Sequence, residues 1–239
     1  HVAPWGVFVS TPEVTAAAAT VRIQTKIFNT TDKSAEVTVR SEILDSNGKR
    51  VASIESSIVP RQGGETDVSQ QIRVSQPELW SLETPKLQTL VTTLSAGGKV
   101  IDETKTPFGI RKAEFRSDNG FVLNGRNLKL KGVCLHHDGG AVGAAVPLGV
   151  WQRRLSLLKD LGVNAIRTAH NPPAPEFLDL CDRMGFLVMD EFFDCWTKGK
   201  NKQDYHLHFK QWSHTDLREG ILRDRNHPSI VLYSVGNEI

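Results

Sequence analysis

Apolar and polar side chains alternate almost one for one through much of the first 110 residues. Val21-Arg22-Ile23-Gln24-Thr25-Lys26-Ile27 sets apolar or small side chains at every second position, and Val37-Thr38-Val39-Arg40-Ser41-Glu42-Ile43 repeats the pattern. A period of two is that of a strand with one face buried. Turn-forming residues separate the runs: Asp45-Ser46-Asn47-Gly48, Arg61-Gln62-Gly63-Gly64 and Ala96-Gly97-Gly98-Lys99. About seven short strands at this spacing predict an immunoglobulin-like β-sandwich. No cluster of catalytic residue types falls in this half, which reads as a structural or docking module.

The period changes after Thr106-Pro107-Phe108-Gly109, so the predicted domains are residues 1–110 and 111–239. Asn124-Gly125, between Phe121-Val122-Leu123 and Leu128-Lys129-Leu130, is a strong hairpin signal. Strand-like and helix-like segments then alternate. Strands are predicted at Lys131–Leu135, Val163–Arg167, Phe186–Asp190 and Ile230–Ser234. Helices are predicted at Val150–Leu161, with Trp151, Leu155, Leu158 and Leu161 on one face, at Pro175–Met184, with Phe177, Leu178 and Cys181 inward, and at Phe209–Arg223.

Such repetition implies a parallel sheet. A doubly wound sheet competes, but no Gly-rich phosphate loop follows the first strand, and polar residues follow every strand. That is the habit of a barrel with its site at the C-terminal mouth. A full barrel needs ~250 residues, whereas 112 remain from Leu128. The second domain therefore reads as the N-terminal half of a (β/α)8 TIM barrel.

Charge narrows the partners. Residues 1–110 carry 11 basic and 12 acidic side chains, and residues 111–239 carry 18 and 15. Neither half has the one-sided basicity that phosphate neutralisation demands, so no nucleic-acid partner is expected. The longest apolar runs are strand-sized, so no membrane partner is expected. Cys134, Cys181 and Cys195 make no even disulfide framework and show no CxxC spacing; free thiols are expected, not a structural zinc. The chain opens at His1 without Met or a signal peptide, which reads as a processed or truncated start.

The chemistry gathers at the predicted strand ends. His136-His137-Asp138 follows the first, Arg167-Thr168-Ala169-His170 the second, Asp190-Glu191 with Asp194 and Trp196 the third, and Gly236-Asn237-Glu238 the fourth. In a barrel these ends converge. Carboxylates, imidazoles, an Arg, an Asn and an indole in a wet pocket suit a polyhydroxylated ligand. Each residue alone has a blander reading. A strand-end His is most often a satisfied polar group, and His137, alternating with His136, reads as a packing or helix-contacting residue. His206, His208 and His214 read as solvated surface, and Asp190-Glu191 as an orienter of neighbouring loops. Four consecutive strand ends outweigh those readings. A metal-hydrolase site is disfavoured, because adjacent His136 and His137 diverge where two ligands would share a face.

Asn164-Ala165-Ile166-Arg167-Thr168-Ala169-His170-Asn171-Pro172, continuing to Asp182-Arg183-Met184-Gly185-Phe186-Leu187-Val188-Met189-Asp190-Glu191, resembles the first signature of glycoside hydrolase family 2. Asp224-Arg225-Asn226-His227-Pro228-Ser229-Ile230-Val231-Leu232-Tyr233-Ser234-Val235-Gly236-Asn237-Glu238 resembles the second. Pro77-Glu78-Leu79-Trp80-Ser81, Thr84-Pro85 and Phe108-Gly109-Ile110-Arg111 also match the family's habits. The resemblance implies hydrolysis of terminal β-glycosidic bonds by retaining double displacement, with a carbohydrate substrate and no cofactor. It implies that Glu238 is the general acid/base and that Asn237 binds the sugar 2-hydroxyl. Arg167 would hold the nucleophilic carboxylate, while His136 and His170 would contact the innermost sugar. Trp196 stays open between stacking on a sugar and packing in the core.

The sequence departs from the family in places. His170-Asn171-Pro172 stands where His-Tyr-Pro is commonest, and Cys134-Leu135-His136-His137 where Asn-Arg-His-Glu is frequent. Asp194-Cys195-Trp196 replaces the Glu-x-His that binds magnesium in some bacterial β-galactosidases, so no metal is carried over. The pattern is most like a branch of bacterial β-galactosidases with extra C-terminal domains; β-glucuronidase and β-mannosidase activities remain open. The family's nucleophile is a Glu after a seventh strand, and the chain stops at Ile239. It thus reads as a fragment, inert by itself, whose partners are the flanking domains of the same polypeptide, with a homo-oligomer also open. A non-catalytic carbohydrate-binding or scaffold protein is the rival reading, against which an intact Asn237-Glu238 counts. The compartment is not specified by these residues; a periplasmic or secreted setting would suit a bacterial polysaccharide-degrading enzyme.

Overall fold

The computed structural model describes residues 1–238. It divides into two compact units, residues 1–81 with 86–126, and residues 82–85 with 127 onward. In the first unit seven strands run in chain order: β1 (Val2–Val14), β2 (Ala18–Phe28), β3 (Val37–Leu44), β4 (Arg50–Ile58), β5 (Glu65–Ser75), β6 (Gln88–Ala96) and β7 (Lys99–Phe108). They form two sheets, β1-β2-β5 and β4-β3-β6-β7, paired antiparallel throughout. The predicted alternation is real: Val21, Ile23 and Ile27 of β2 and Val39 and Ile43 of β3 point into one hydrophobic core. One polar knot crosses that core. The buried Ser41 hydroxyl donates to Gln70 Oε1 at 2.6 Å, and Gln70 Nε2 donates to the Val39 carbonyl at 3.1 Å and to Ser56 Oγ at 3.0 Å. Each is a buried polar group with a partner, as stability requires.

A small sheet follows, formed by β8 (Ala113–Arg116), β9 (Gly120–Leu123) and β10 (Arg126–Asn127). Asn124 and Gly125 both take positive φ, 51° and 81°, as a two-residue hairpin turn of primed type demands. The returning strand is only Arg126–Asn127. Leu128–Leu130, expected to be that strand, is held elsewhere: the Asn164 amide donates to the Lys129 carbonyl at 2.9 Å and accepts the Lys131 N–H at 2.7 Å.

The second unit is a four-stranded parallel sheet in the order β11 (Gly132–Leu135), β12 (Ala165–Thr168), β13 (Leu187–Phe193) and β14 (Ile230–Gly236). Helices α1 (Leu148–Asp160), α2 (Pro175–Met184) and α3 (His206–Asp224) connect successive strands. This is the start of a TIM barrel, after an immunoglobulin-like sandwich. The core packs Ile166, Val188 and Ile230 from the strands against Trp151, Leu155, Phe177, Leu178 and Cys181 from α1 and α2. Pro175 opens α2 at its first turn, and Gly185 closes it with φ 69°, the left-handed cap that glycine supplies. The Leu82 carbonyl stands where a side chain at 185 would begin, so glycine is required there twice over.

Two details differ from the expected pattern. Leu161 is 79% exposed, because α1 ends at Asp160 and Leu161 is its cap, so the apolar face stops at Leu158. β13 runs three residues beyond Asp190, through charges that look like a strand end in sequence.

Asp190 is fully buried on the helix side of β13. Neither of its oxygens meets a donor among the described residues. Asp224, at the end of α3, is also fully buried and is gripped by Arg223 through Nε at 2.6 Å and Nη2 at 2.7 Å. Burial first, and the neighbouring Asp224 carboxylate second, push the Asp190 carboxyl from its ordinary 3.8 up to about 7. The folded state thus keeps a proton that the unfolded chain releases. The associated stability is complete below the unfolded value and is lost as pH rises through about 7. Asp190→Asn should therefore gain stability relative to the parent between about pH 5 and about pH 8, read as the change in urea midpoint. A variant-to-parent difference that stays constant across that range would show that no proton is held there.

Candidate active site

Strand pairing decides which side chains meet. Ile166, Val188 and Ile230 lie side by side in register and face the helices, so Arg167, Met189 and Glu191 face the other way. In β14 the register slips by one residue between the Val188 and Met189 pairings. That irregularity sets Leu232 beside Met189 and Ser234 beside Glu191. At the mouth, Thr168 ends β12 and its Oγ accepts the Glu191 N–H at 2.9 Å.

Glu191 is the hub. Its side chain is 1% exposed, and donors reach it from β12, from the loop just after β12 and from β14. Arg167 Nε donates to Oε2 at 3.0 Å and Nη2 to Oε1 at 2.8 Å. Ser234 Oγ donates to Oε2 at 2.7 Å, and His170 Nδ1 lies 2.6 Å from Oε1. Burial opposes the charge on Glu191, yet the donors from Ser234, His170 and Arg167 outweigh it and hold the carboxyl below its usual value. An ionised carboxylate only accepts, so Nδ1 carries the imidazole hydrogen and Nε2 faces away from Glu191.

Arg167 carries the order onward. Nη2 also donates to Asn237 Oδ1 at 2.9 Å, while Nη1 reaches Cys134 Sγ at 3.7 Å. The Asn237 amide is thereby oriented, with its oxygen toward a guanidinium that only donates. Its Nδ2 turns to Asp194 Oδ1 at 3.3 Å, and its backbone N–H donates to the Phe193 carbonyl at 2.8 Å. Asp194 is held below its ordinary value by Lys200, against some burial, with help from Asn237. Lys200 Nζ lies 2.8 Å from Asp194 Oδ1 and 3.1 Å from Glu238 Oε2.

Of the five residues singled out from sequence, Arg167, His170 and Asn237 meet in this network, and the His136 ring stands edge-on to His170 at 5.4 Å. Glu238 joins at the rim, through Lys200: its side chain is 76% exposed, and among the described residues its ion pair is with that ammonium. His137, expected to pack or to contact a helix, is exposed and lies 3.3 Å from Asn171 Nδ2, because β11 stops at Leu135 and strand alternation no longer applies. With His136, Asn171, Val146, Trp151 and Phe177 it lines a cavity of about 210 Å3. His206, expected on the surface, is half-buried and bonded to Asp204. Trp196 packs against Phe209 at 5.6 Å, and Gly236 leaves room for its indole. Sequence reasoning missed Ser234 and Lys200 altogether, and gave Glu191 too small a part. Ser234 carried a faint signal, a hydroxyl four residues before the Glu that closes the motif.

Residues 115–239 match the family model described as "Glycosyl hydrolases family 2, TIM barrel domain", and residues 5–111 match "Glycosyl hydrolases family 2". The chain belongs to glycoside hydrolase family 2. Over its full length it is 47% identical to "Beta-galactosidase BoGH2A" of Bacteroides ovatus, of which it spans 28%. A family 2 member from Bacteroides cellulosilyticus superimposes on the whole chain with a TM-score of 0.97 at 42% identity, the chain covering 31% of that structure. A β-glycosidase from Bacteroides vulgatus does so with a TM-score of 0.91 at 39% identity, with 30% covered.

Within this family 2 chain, the positions after β13 do not fit a magnesium ion. Asp194 is bound to an ammonium, Cys195 is buried, and Trp196 offers no ligand atom. Asp179, Asp182 and His227 have ligand atoms within 4.8 Å of one another. They lie on α2 and in the turn before β14, toward the opposite end of the sheet from Glu191. Asp182 accepts from His227 Nδ1 at 2.6 Å and from the Ser229 N–H at 3.0 Å, so the cluster braces the turn into β14.

If Glu191 is the hub, its removal should cost far more than removal of its neutral donor, Ser234. Glu191→Ala leaves the Arg167 guanidinium uncompensated and should destabilise by about 3 kcal/mol, the low end for a buried pair because Arg167 is partly exposed. Ser234→Ala deletes one hydrogen bond and should cost about 1 kcal/mol. Urea unfolding of both variants tests this, and equal losses would contradict it.

Proposed function

We propose that this chain is part of a retaining β-glycosidase acting on terminal β-glycosides, β-galactosides foremost, with Glu238 as general acid/base. The observation that carries the reading is the oriented pair at the end of β14. Arg167 fixes the Asn237 amide, and the next residue, Glu238, presents an exposed carboxylate at the same mouth. Likeness to BoGH2A supports galactose as the sugar.

The chemistry follows from the residues. Glu238 protonates the leaving glycosidic oxygen as the C1–O bond breaks, and later takes a proton from the attacking water. Asn237 offers the sugar 2-hydroxyl the second hydrogen of Nδ2, a contact that strengthens toward the oxocarbenium-like transition state. Arg167 keeps one Nη1 hydrogen without a partner among the described residues. That hydrogen is available to the nucleophilic carboxylate assigned by resemblance to a seventh strand. His170 Nε2 and His136 face the sugar in the innermost subsite.

In the full-length enzyme, Glu238→Ala should all but abolish cleavage of a disaccharide while a dinitrophenyl glycoside still gives a fast first-turnover burst. Azide, which needs no base, should speed the slow second step and yield a β-glycosyl azide. Parallel loss on both substrates in a folded variant would mean that another residue is the acid/base. Aryl β-glycosides of galactose, glucuronic acid and mannose distinguish the sugars in the same assay. Asn237→Ala should lower kcat more than it raises KM; the reverse split would make the contact ordinary ground-state binding.

A further inference from the structure

The loop between β13 and α3 presents Lys200 to Glu238, and its backbone is fastened before the side chain makes any contact. Asp204 Oδ2 accepts the N–H groups of Lys200 and Asn201, each at 2.7 Å, and Oδ1 accepts the His206 N–H at 3.1 Å. The His206 ring also bonds Asp204. With the Asn201 N–H as the largest contribution, these donors hold the Asp204 carboxyl far below its ordinary value. Gly199 makes room for that imidazole, since the His206 ring lies where a side chain at 199 would begin. At the far end of the loop, Tyr205 stacks on Phe193 of β13 at 5.1 Å, with the rings 14° from parallel.

From this support the Lys200 ammonium bridges Asp194 and Glu238. Its bond to Asp194 first, against a little desolvation, and then its bond to Glu238, raise its own pKa, so it stays charged. A glutamate at a strand end, 76% exposed, has several rotamers open to it, and among the described residues its ion pair is with Lys200.

We propose that Lys200 is a positioning residue for the acid/base: its ammonium holds Glu238 Oε2, so that Oε1 faces the glycosidic oxygen. The inference rests on Glu238 being the acid/base, and it adds a cation fixed in the chain that sets the direction of proton delivery.

A residue that acts through the general acid must reproduce, more weakly, the substrate pattern of losing that acid. In the full-length enzyme, Lys200→Ala should lower kcat/KM for an alkyl β-glycoside by about 10–100-fold, a fraction of what general acid catalysis supplies. For the dinitrophenyl glycoside of the same sugar, which departs without a proton, the loss should stay within about threefold. Lys200→Arg, whose guanidinium reaches the same two carboxylates, should recover most of the rate on the alkyl substrate. Added ethylammonium should recover part of it for Lys200→Ala. Lys200→Met keeps the aliphatic stem and carries the same expectation should the alanine variant fold poorly. Equal losses on both substrates, or none, in a folded variant of an active parent would overturn the role of Lys200 while leaving the glycosidase reading intact. Failure of the parent on every aryl β-glycoside would overturn that reading and this one with it.

Discussion

A carboxylate buried at the mouth of the half-barrel is the constraint around which the site is built. Glu191 is 1% exposed, and an isolated charge so placed would be strongly disfavoured. It is kept by converging donors, and each of those donors is thereby fixed. Arg167 lies flat across it through two nitrogens, His170 has its tautomer set, and Ser234 is tied to the neighbouring strand. Since the same guanidinium also holds Asn237, the order of the whole mouth descends from one ionised group.

Next to it in sequence, Asp190 does the opposite. Alternation turns it to the helix side of β13, where it is buried beside Asp224 with no donor to its oxygens among the described residues, and its carboxyl rises to about 7. Two adjacent acids on one strand are thus shifted in opposite directions, one lowered by surrounding donors and one raised by burial and a second carboxylate. The rest of the buried ionic order on that side is structural: Arg223 clamps Asp224 and reaches the Pro173 carbonyl at 2.9 Å, tying α3 to the loop before α2. His227 and Asp182 secure the entry to β14. The face that carries the Glu191 network and the supporting face share strands but not chemistry.

The mouth also shows how short-range loop chemistry reaches the site. Asp204 gathers backbone donors from both sides of itself, which makes a polar, exposed loop into a defined arm. Asp194, Lys200 and Glu238 then form a line of alternating charge along the rim, and Asn237 joins it to the Glu191 network through Asp194.

Periodicity in the sequence determined the seven strands of the sandwich, the Asn124-Gly125 turn, the α2 span Pro175–Met184, and the alternation of strand and helix that makes a barrel. These depend on local backbone preferences and on which face of an element is apolar, both of which are written in neighbouring residues. The strand-end positions of His136, Arg167, His170, Asn237 and Glu238 were legible for the same reason. What the sequence could not decide was the side to which β14 turns. Plain alternation from Ile230 would have put Leu232 and Ser234 toward the helices, and only the register irregularity against β13 brings Ser234 to Glu191. The length of β13 was hidden as well, because Asp190 and Glu191 look like the end of a strand until partners from α3, β12 and β14 surround them. Lys200, in a loop of exposed lysines, carried no signal at all. Its place is set by a carboxylate four residues along the chain and two others brought near by folding. Pairings between segments far apart in sequence depend on register and burial, and those exist only once the strands lie side by side.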